Sequence, residues 1–396
     1  MADDRYVLAD VPAVTILSGM APKKNSKKSI QPSADSAKSS VKRPSKPSRR
    51  QLEKLDREIL ALLNDRAELT ARHAQVDELP AGDQFSTDAR AMQLLAKHNR
   101  GPLGEQAVRA IFRELVSGCR SIGRSVRAAF LGPEYTYSHL AAIEYFGQSS
   151  ELVSVGSIAA VFEEVEQGQS DFGIVPIENS TDGGIVDTLE CLLRYPVRIC
   201  GEVPLHIHHC LLGTGSRQEV KRVYSKPQAL SQCRNWLSKH LPAAELTGVA
   251  STTEAALKAA AETGAAAIAS QQAGTNHSLS VLAGNIEDNR DNVTRFAVIG
   301  QSSGSRTGQD KTSLLFEICH EPGALADSMG IFKRQRLNMT WIESFPKPGK
   351  RGSYLFFVEF LGHASDLRVR RALASLEKKT ERLTVLGSYA QAEPIG

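Results

Sequence analysis

The stretch Phe172–Glu190 constrains the fold more than any other part of the 396-residue chain. Phe172–Ile177 is a short apolar run of strand type, and Pro176 suits a strand's end better than its middle. It delivers Glu178, Asn179, Ser180, Thr181 and Asp182 in sequence, and Gly183 and Gly184 then free the backbone. Ile185–Leu193 reads as a helix opening. Polar groups at the C-terminal end of a strand, beside a helix N-terminus, are where open α/β sheets hold polar or anionic ligands. An ordinary strand–loop–helix with capping residues carries the same pattern, so the pattern alone leaves both readings open.

The chain has room for two or three domains, and its 41% apolar and 23% charged residues are those of a globular protein. Its net charge of +4 is unevenly spread. Between Ala21 and Arg50 ten Lys/Arg face a single acid, Asp35, so that segment carries +9 and the remainder lies near −5. No folded part looks built for nucleic acid. Six cysteines (Cys119, Cys191, Cys200, Cys210, Cys233, Cys319) show no metal spacing and suggest reduced thiols in a cytoplasmic protein. No apolar run reaches a membrane span, and Val11–Leu17 follows acids rather than a basic region, a poor signal peptide.

Residues 1–48 read as a disordered basic tail, and Met20 is a second candidate start. A long helix follows, with Leu52, Leu55, Ile59, Leu62, Arg66, Leu69, His73 and Val76 forming a heptad seam. Arg66 within that seam calls for an anion, since an unpaired guanidinium among apolar groups is costly. A coiled-coil dimerisation arm is the alternative. Further on, Glu202–Gly213 reads as one strand, with His206 and His208 on one face and no third ligand to make a metal site with His209. After a Gly/Ser linker at Ser302–Thr307, the patterns of Thr312–Ser388 give the order βαββαβ, which is ferredoxin-like.

Two motifs name a family. IVPIENST (Ile174–Thr181) followed by NVTRFAVI (Asn292–Ile299) resembles the signatures of prephenate dehydratases, and GPEYTYSHLAA (Gly132–Ala142) resembles that family's opening motif. The resemblance implies a two-lobed α/β catalytic domain over 125–308, of the type II periplasmic-binding-protein kind. Prephenate would lose CO2 and its ring hydroxyl there, giving phenylpyruvate without metal or redox cofactor. The implied catalytic residues are Thr294, Glu178, Asn179, Ser180, Thr181, Ser225 and Gln232, with Thr136, Ser138, Arg295 and Phe296 binding substrate. Thr294 would donate to the leaving hydroxyl. Arg295 would anchor a carboxylate or pair with an acid to lock its loop. Tyr135 stands where the family has glycine, a position strained for tyrosine if it needs φ above zero, and Lys226 stands where the family has histidine.

Residues 49–124 resemble the all-helical chorismate mutase domain often fused upstream, with Arg49, Arg66 and Arg90 on its carboxylate-binding arginines. Asp77, Ala91 and Gly123 occupy the places of its lysine, acid and glutamine, so weak or absent mutase activity is expected. Residues 309–396 resemble an ACT regulatory domain. PGALA (Pro322–Ala326) and ESFP (Glu343–Pro346) match its ligand motifs, with Phe345 in an arginine's place. The resemblance implies L-phenylalanine as effector at Gly323, Ala324, Leu325, Asn338, Glu343 and Ser344, in a homodimer or homotetramer. A non-catalytic amino-acid-sensing protein and an arogenate dehydratase are the alternatives.

Overall fold

The computed structural model describes residues 48–76, 91–92, 94–95, 97–122, 124–318, 321–347 and 354–395. Of the expected basic tail over 1–48, residues 1–47 lie outside the described residues, as do Asp77, Arg90, Gly123 and Cys319.

Helix α1 spans Arg49–Val76 and α2 spans Glu105–Ser121. Helix α2 buries Val108, Val116 and Cys119, while the α1 seam residues Ile59, Leu62 and Leu69 stay exposed. No helix among the described residues is long and apolar enough to cross a membrane.

The next part has two lobes, each with its own mixed sheet. The first sheet has the order β2-β1-β3-β11-β5, from Glu151–Val155, Arg127–Leu131, Phe172–Asn179, Val293–Gly300 and Arg198–His206. The two-residue β4 (Gly183–Gly184) pairs with β3. The second sheet runs β10-β6-β9-β7-β8, from Ser280–Ala283, Cys210–Gly213, Ala265–Ala269, Arg222–Ser225 and Glu245–Gly248. Strands β1, β2 and β3 are parallel, and β11 enters antiparallel between β3 and β5.

The expected single strand over Glu202–Gly213 is two. Strand β5 ends at His206 in the first sheet and β6 begins at Cys210 in the second, so Ile207–His209 is one crossover between lobes. The chain returns between β10 and β11, and the crossovers meet where Ile207 N–H donates to Asn292 O at 2.8 Å. Both halves are apolar and buried, so nothing in their composition marks the break.

The C-terminal part has a four-stranded sheet in the order β13-β14-β12-β15, from Met339–Pro346, Tyr354–Leu361, Asp310–Glu317 and Arg382–Ala390. With helices Ala324–Gln335 and Leu367–Glu377 it gives βαββαβ, the expected order. All of β12 is buried, charged residues included, because its outer face lies against the first lobe. One apolar cluster joins Val161, Ile177 and Leu189 of that lobe to Phe345, Leu355, Phe357 and Leu386. Gly387 lacks a side chain where β15 crosses β5: a Cβ there would collide with the Ile199 carbonyl oxygen. Beyond β15 the chain continues along the first lobe. Ile395 N–H donates to Pro204 O at 3.0 Å, and His206 N–H donates to Ile395 O at 2.8 Å.

Candidate active site

Strand β11 meets β3 with Thr294 opposite Asn179 and Arg295 opposite Glu178. Strand side chains alternate, so these two pairs leave the sheet on opposite faces.

On one face, a turn sets the direction of every donor. Asn179 is 5% exposed, and its Oδ1 accepts the backbone N–H groups of Thr181 and Asp182 at 2.9 and 3.2 Å. Its Nδ2 is thereby turned to donate to Thr294 Oγ1 at 2.8 Å and to Asn292 Oδ1 at 3.1 Å. Thr294 accepts from Asn179, which leaves its own O–H free to donate elsewhere. Thr181 Oγ1 also donates to Asn292 Oδ1, at 3.2 Å. Ser180 is spent on the fold, its Oγ accepting the Val293 N–H at 2.9 Å.

This cluster opens on a cavity of about 410 Å³ lined by Thr181, Asp182, Gln228, Gln232, Asp288 and Asn292. Asp182 from the first lobe meets Gln228 and Gln232 from the second, so carboxylate and amides close the lobes on each other. Gln232 also bonds His209 Nε2 at 3.0 Å in the crossover. Burial lowers the His209 pKa from the usual imidazole value, against the raising effects of Gln232 and Glu287. Buried Glu287 accepts from the His209 backbone N–H at 2.8 Å and contacts His208 Nδ1 at 2.9 Å. His206 and His208 do share a face, with their rings stacked at 5.9 Å. Asp182, His209, Glu287 and Asp288 were absent from the sequence-based set. Glu287 and Asp288 lie in the polar run Asn285–Asn292 between two apolar strands, Asp182 closes the polar run that begins at Glu178, and His209 is weighed in the sequence only as a metal ligand.

Other expected residues sit differently. Ser225 is fully buried and donates to Ile268 O at 2.6 Å within the second lobe. Phe296 is 2% exposed in the apolar cluster with Phe130, Phe146 and Val298, so its ring packs core instead of cleft. Thr136 does not cap its helix by side chain: its Oγ1 donates to Pro133 O at 2.9 Å. Ser138 is buried in the first turn of that helix. Tyr135 does take positive φ, at 64°. The strain is offset by bonds across the lobes: its carbonyl accepts from Ser270 Oγ at 3.2 Å and its ring packs on the second-lobe core.

On the opposite face, Arg295 is aimed away from the cleft. Its Nε stands 2.8 Å from Glu178 Oε2, and its Nη1 lies 3.1 Å from Glu202 and 2.8 Å from Glu359 on β14. Lys311 on β12 adds a second cation, 3.0 Å from Glu202 and 3.4 Å from Glu359. Tyr389 and Thr340 donate to Glu359 at 2.8 and 2.9 Å. Burial raises the Glu202 pKa despite Lys311 and Arg295, whereas for Glu359 those cations overcome burial and lower it. Of the two contacts expected of Arg295, the structure shows pairing with acids. It also ties Glu178 to the C-terminal sheet, not to the cleft.

Among the expected mutase-type arginines, Arg49 pairs with Glu53 one turn on, at 3.5 Å. Arg66 lines a cavity of about 360 Å³ with Ala91, Leu94, His98, Phe112 and Val116, and its buried Nη1 has no partner among the described residues. Of the expected effector residues, Gly323 takes φ 86° at the start of its helix, and Leu325, Asn338 and Ser344 are exposed. Glu343 lies against Gly184 of the first lobe, where an added Cβ would come within 3.5 Å of it.

Residues 128–304 match the family model for prephenate dehydratase, and residues 48–124 match that for chorismate mutase type II. The chain is 39% identical over 352 residues to a bifunctional chorismate mutase/prephenate dehydratase of Aquifex aeolicus, covering 87% of this chain and 97% of that protein. A protein of the same description from Pseudomonas aeruginosa is 36% identical over 353 residues, with the same two coverages. The prephenate dehydratase of Arthrobacter aurescens, solved in complex with L-Phe, superposes with TM-score 0.63 at 33% identity, covering 67% of this chain and 90% of that one. The paired motifs on β3 and β11, the helical segment before them and these alignments across nearly the whole length agree: the chain belongs to the bifunctional chorismate mutase/prephenate dehydratase family.

Proposed function

We propose that the cleft between the lobes converts prephenate to phenylpyruvate, CO2 and water, with Thr294 donating to the departing ring hydroxyl. The observation that carries this is the Asn179 contact with Thr294. It occupies a lone pair on Oγ1 and leaves the O–H for the substrate. The hydroxyl leaves as the carboxylate is lost and the ring becomes aromatic, so the developing charge on that oxygen is what a fixed donor stabilises. A threonine hydroxyl is too weak an acid to ionise, so it donates a hydrogen bond or relays a proton. The two-lobed architecture with two crossovers supports a hinge of the periplasmic-binding-protein type, whose closure would exclude water. The test is a spectrophotometric assay of the purified protein with prephenate and, separately, arogenate. Absence of phenylpyruvate would end the reading.

The βαββαβ part is read as an ACT domain that binds L-phenylalanine near Gly323–Leu325 with Asn338, Glu343 and Ser344. The Arthrobacter relative, solved with L-Phe, supports that effector class. Leu325 and Ile342, 36% and 44% exposed, and the unpaired edge of β13 support a second copy there. The exposed apolar seam of α1 supports a helical dimer contact as well. Light scattering that finds a monomer at assay concentrations would remove both. The buried Arg66 Nη1, without a partner among the described residues, supports anion binding in the helical part, while Asp77 and Ala91 support slow chorismate turnover. Five free buried cysteines among the described residues support a reducing, cytoplasmic setting.

A further inference from the structure

Asn292 precedes Thr294 by two residues and is 2% exposed, yet it lines the cleft cavity. Its orientation does not depend on telling oxygen from nitrogen in its amide. Asn179 must present Oδ1 to the two backbone N–H groups of its turn, so it can offer only Nδ2 to Asn292. A donor needs an acceptor opposite, so Asn292 presents Oδ1 to Asn179, and the Thr181 hydroxyl donates to that same oxygen. Asn292 Nδ2 is thereby turned away from every group that fixes the residue. It is buried and has no partner among the described residues. A buried amide donor without an acceptor carries the full cost of its lost hydration, a cost recovered only when an acceptor arrives. Asp182 and Asp288 line the same cavity, but neither is bonded to this nitrogen.

We infer that Asn292 Nδ2 is a substrate-binding donor that holds a carboxylate oxygen of the prephenate dianion. This rests on the cleft being the dehydratase site. Asn179 is then the common orienting group: one amide turns Thr294 toward the leaving hydroxyl and Asn292 toward the anionic end. Asn179 Nδ2 bonds both Asn292 Oδ1 and Thr294 Oγ1, so the two side chains lie together and both donors serve one bound molecule.

The test is Asn292→Asp in the full-length protein. The substituted carboxylate is isosteric and still accepts from Asn179 and Thr181, so a residue that only supports the turn would tolerate it. A substrate-binding donor would not: a donor becomes an acceptor facing an anion. Steady-state kinetics with prephenate should show KM raised at least about 10-fold with a smaller change in kcat, the scale of a lost charge-assisted hydrogen bond. A KM within twofold of wild type, or a loss confined to kcat, would overturn the assignment. If circular dichroism shows that the variant does not fold, Asn292→Ser gives the same reading. Its shorter side chain removes the Nδ2 donor, and an unchanged KM there would also overturn it. Wild-type protein that leaves prephenate untouched would sink the dehydratase reading itself, a separate outcome.

Discussion

Nη1 of Arg295 stands 2.8 and 2.9 Å from the two carboxylate oxygens of Glu359, a contact between the strand that carries Thr294 and the C-terminal sheet. Glu359 is buried and Arg295 largely so, at 1% and 12% side-chain exposure. Breaking such a pair leaves an uncompensated charge and costs about 3–5 kcal/mol. Arg295→Leu should therefore lower the melting temperature by many degrees. Glu359→Gln keeps the packing and two acceptor contacts, so it should fold while weakening phenylalanine inhibition severalfold. Unchanged inhibition in that variant would show that the ion pair is not part of the coupling.

Thr294→Ala should reduce kcat by about 100- to 1,000-fold, the range for removal of one transition-state donor. KM should move far less. Asn179→Ala should act on the same step by freeing the Thr294 hydroxyl to turn, so the double variant should be barely worse than Thr294→Ala alone. Fully additive losses would mean that the two residues act independently.

His209 makes stability depend on pH. Burial is the largest effect on it and lowers its folded pKa below the ordinary value of about 6.5, so below that value the unfolded chain binds the extra proton. Stability contributed by the neutral imidazole is present above pH 6.5 and is lost as pH falls toward the lower folded pKa. The melting temperature of His209→Gln should fall less between pH 7 and pH 5 than that of wild type. Parallel curves would clear His209 of the effect.

Chorismate should be turned over slowly. Asp77→Lys together with Ala91→Glu should raise that rate at least about 10-fold if the missing donors are the cause. Arg66→Ala in the same background should abolish it. A wild-type rate already comparable with the prephenate rate would show that another donor reaches the ether oxygen.

The sequence was most legible where one run of residues does one job. The run Ala265–Ala269 is a strand with every residue buried, and Tyr354–Leu361 begins and ends where its apolar pattern does. The motif residues Asn179, Thr181 and Thr294 do converge, since adjacent strands bring them together. Phe296 shares a motif with Thr294, and Ser225 belongs to the same expected set, but both pack inward, and a motif does not report which way a side chain faces. The break at Ile207–His209 was hidden because both flanking strands are apolar. The Arg295–Glu359 contact joins residues 64 apart in sequence, and no local pattern encodes a partner at that distance.

The segment that carries Ile395 back to Leu205 bears on how far these parts can be treated as separate modules. Strand β5 is the last strand of its sheet, and on the side away from β11 Pro204–His206 are met by Ile395, beyond β15. A catalytic fragment cut before β12 would expose that edge together with the apolar surface now under Phe345 and Leu355. Open edges beside apolar patches template pairing between molecules. Such a fragment should express as aggregates even with every cleft residue intact. Recombination that swaps the C-terminal βαββαβ part would succeed only when the incoming piece brings its own segment to cover β5.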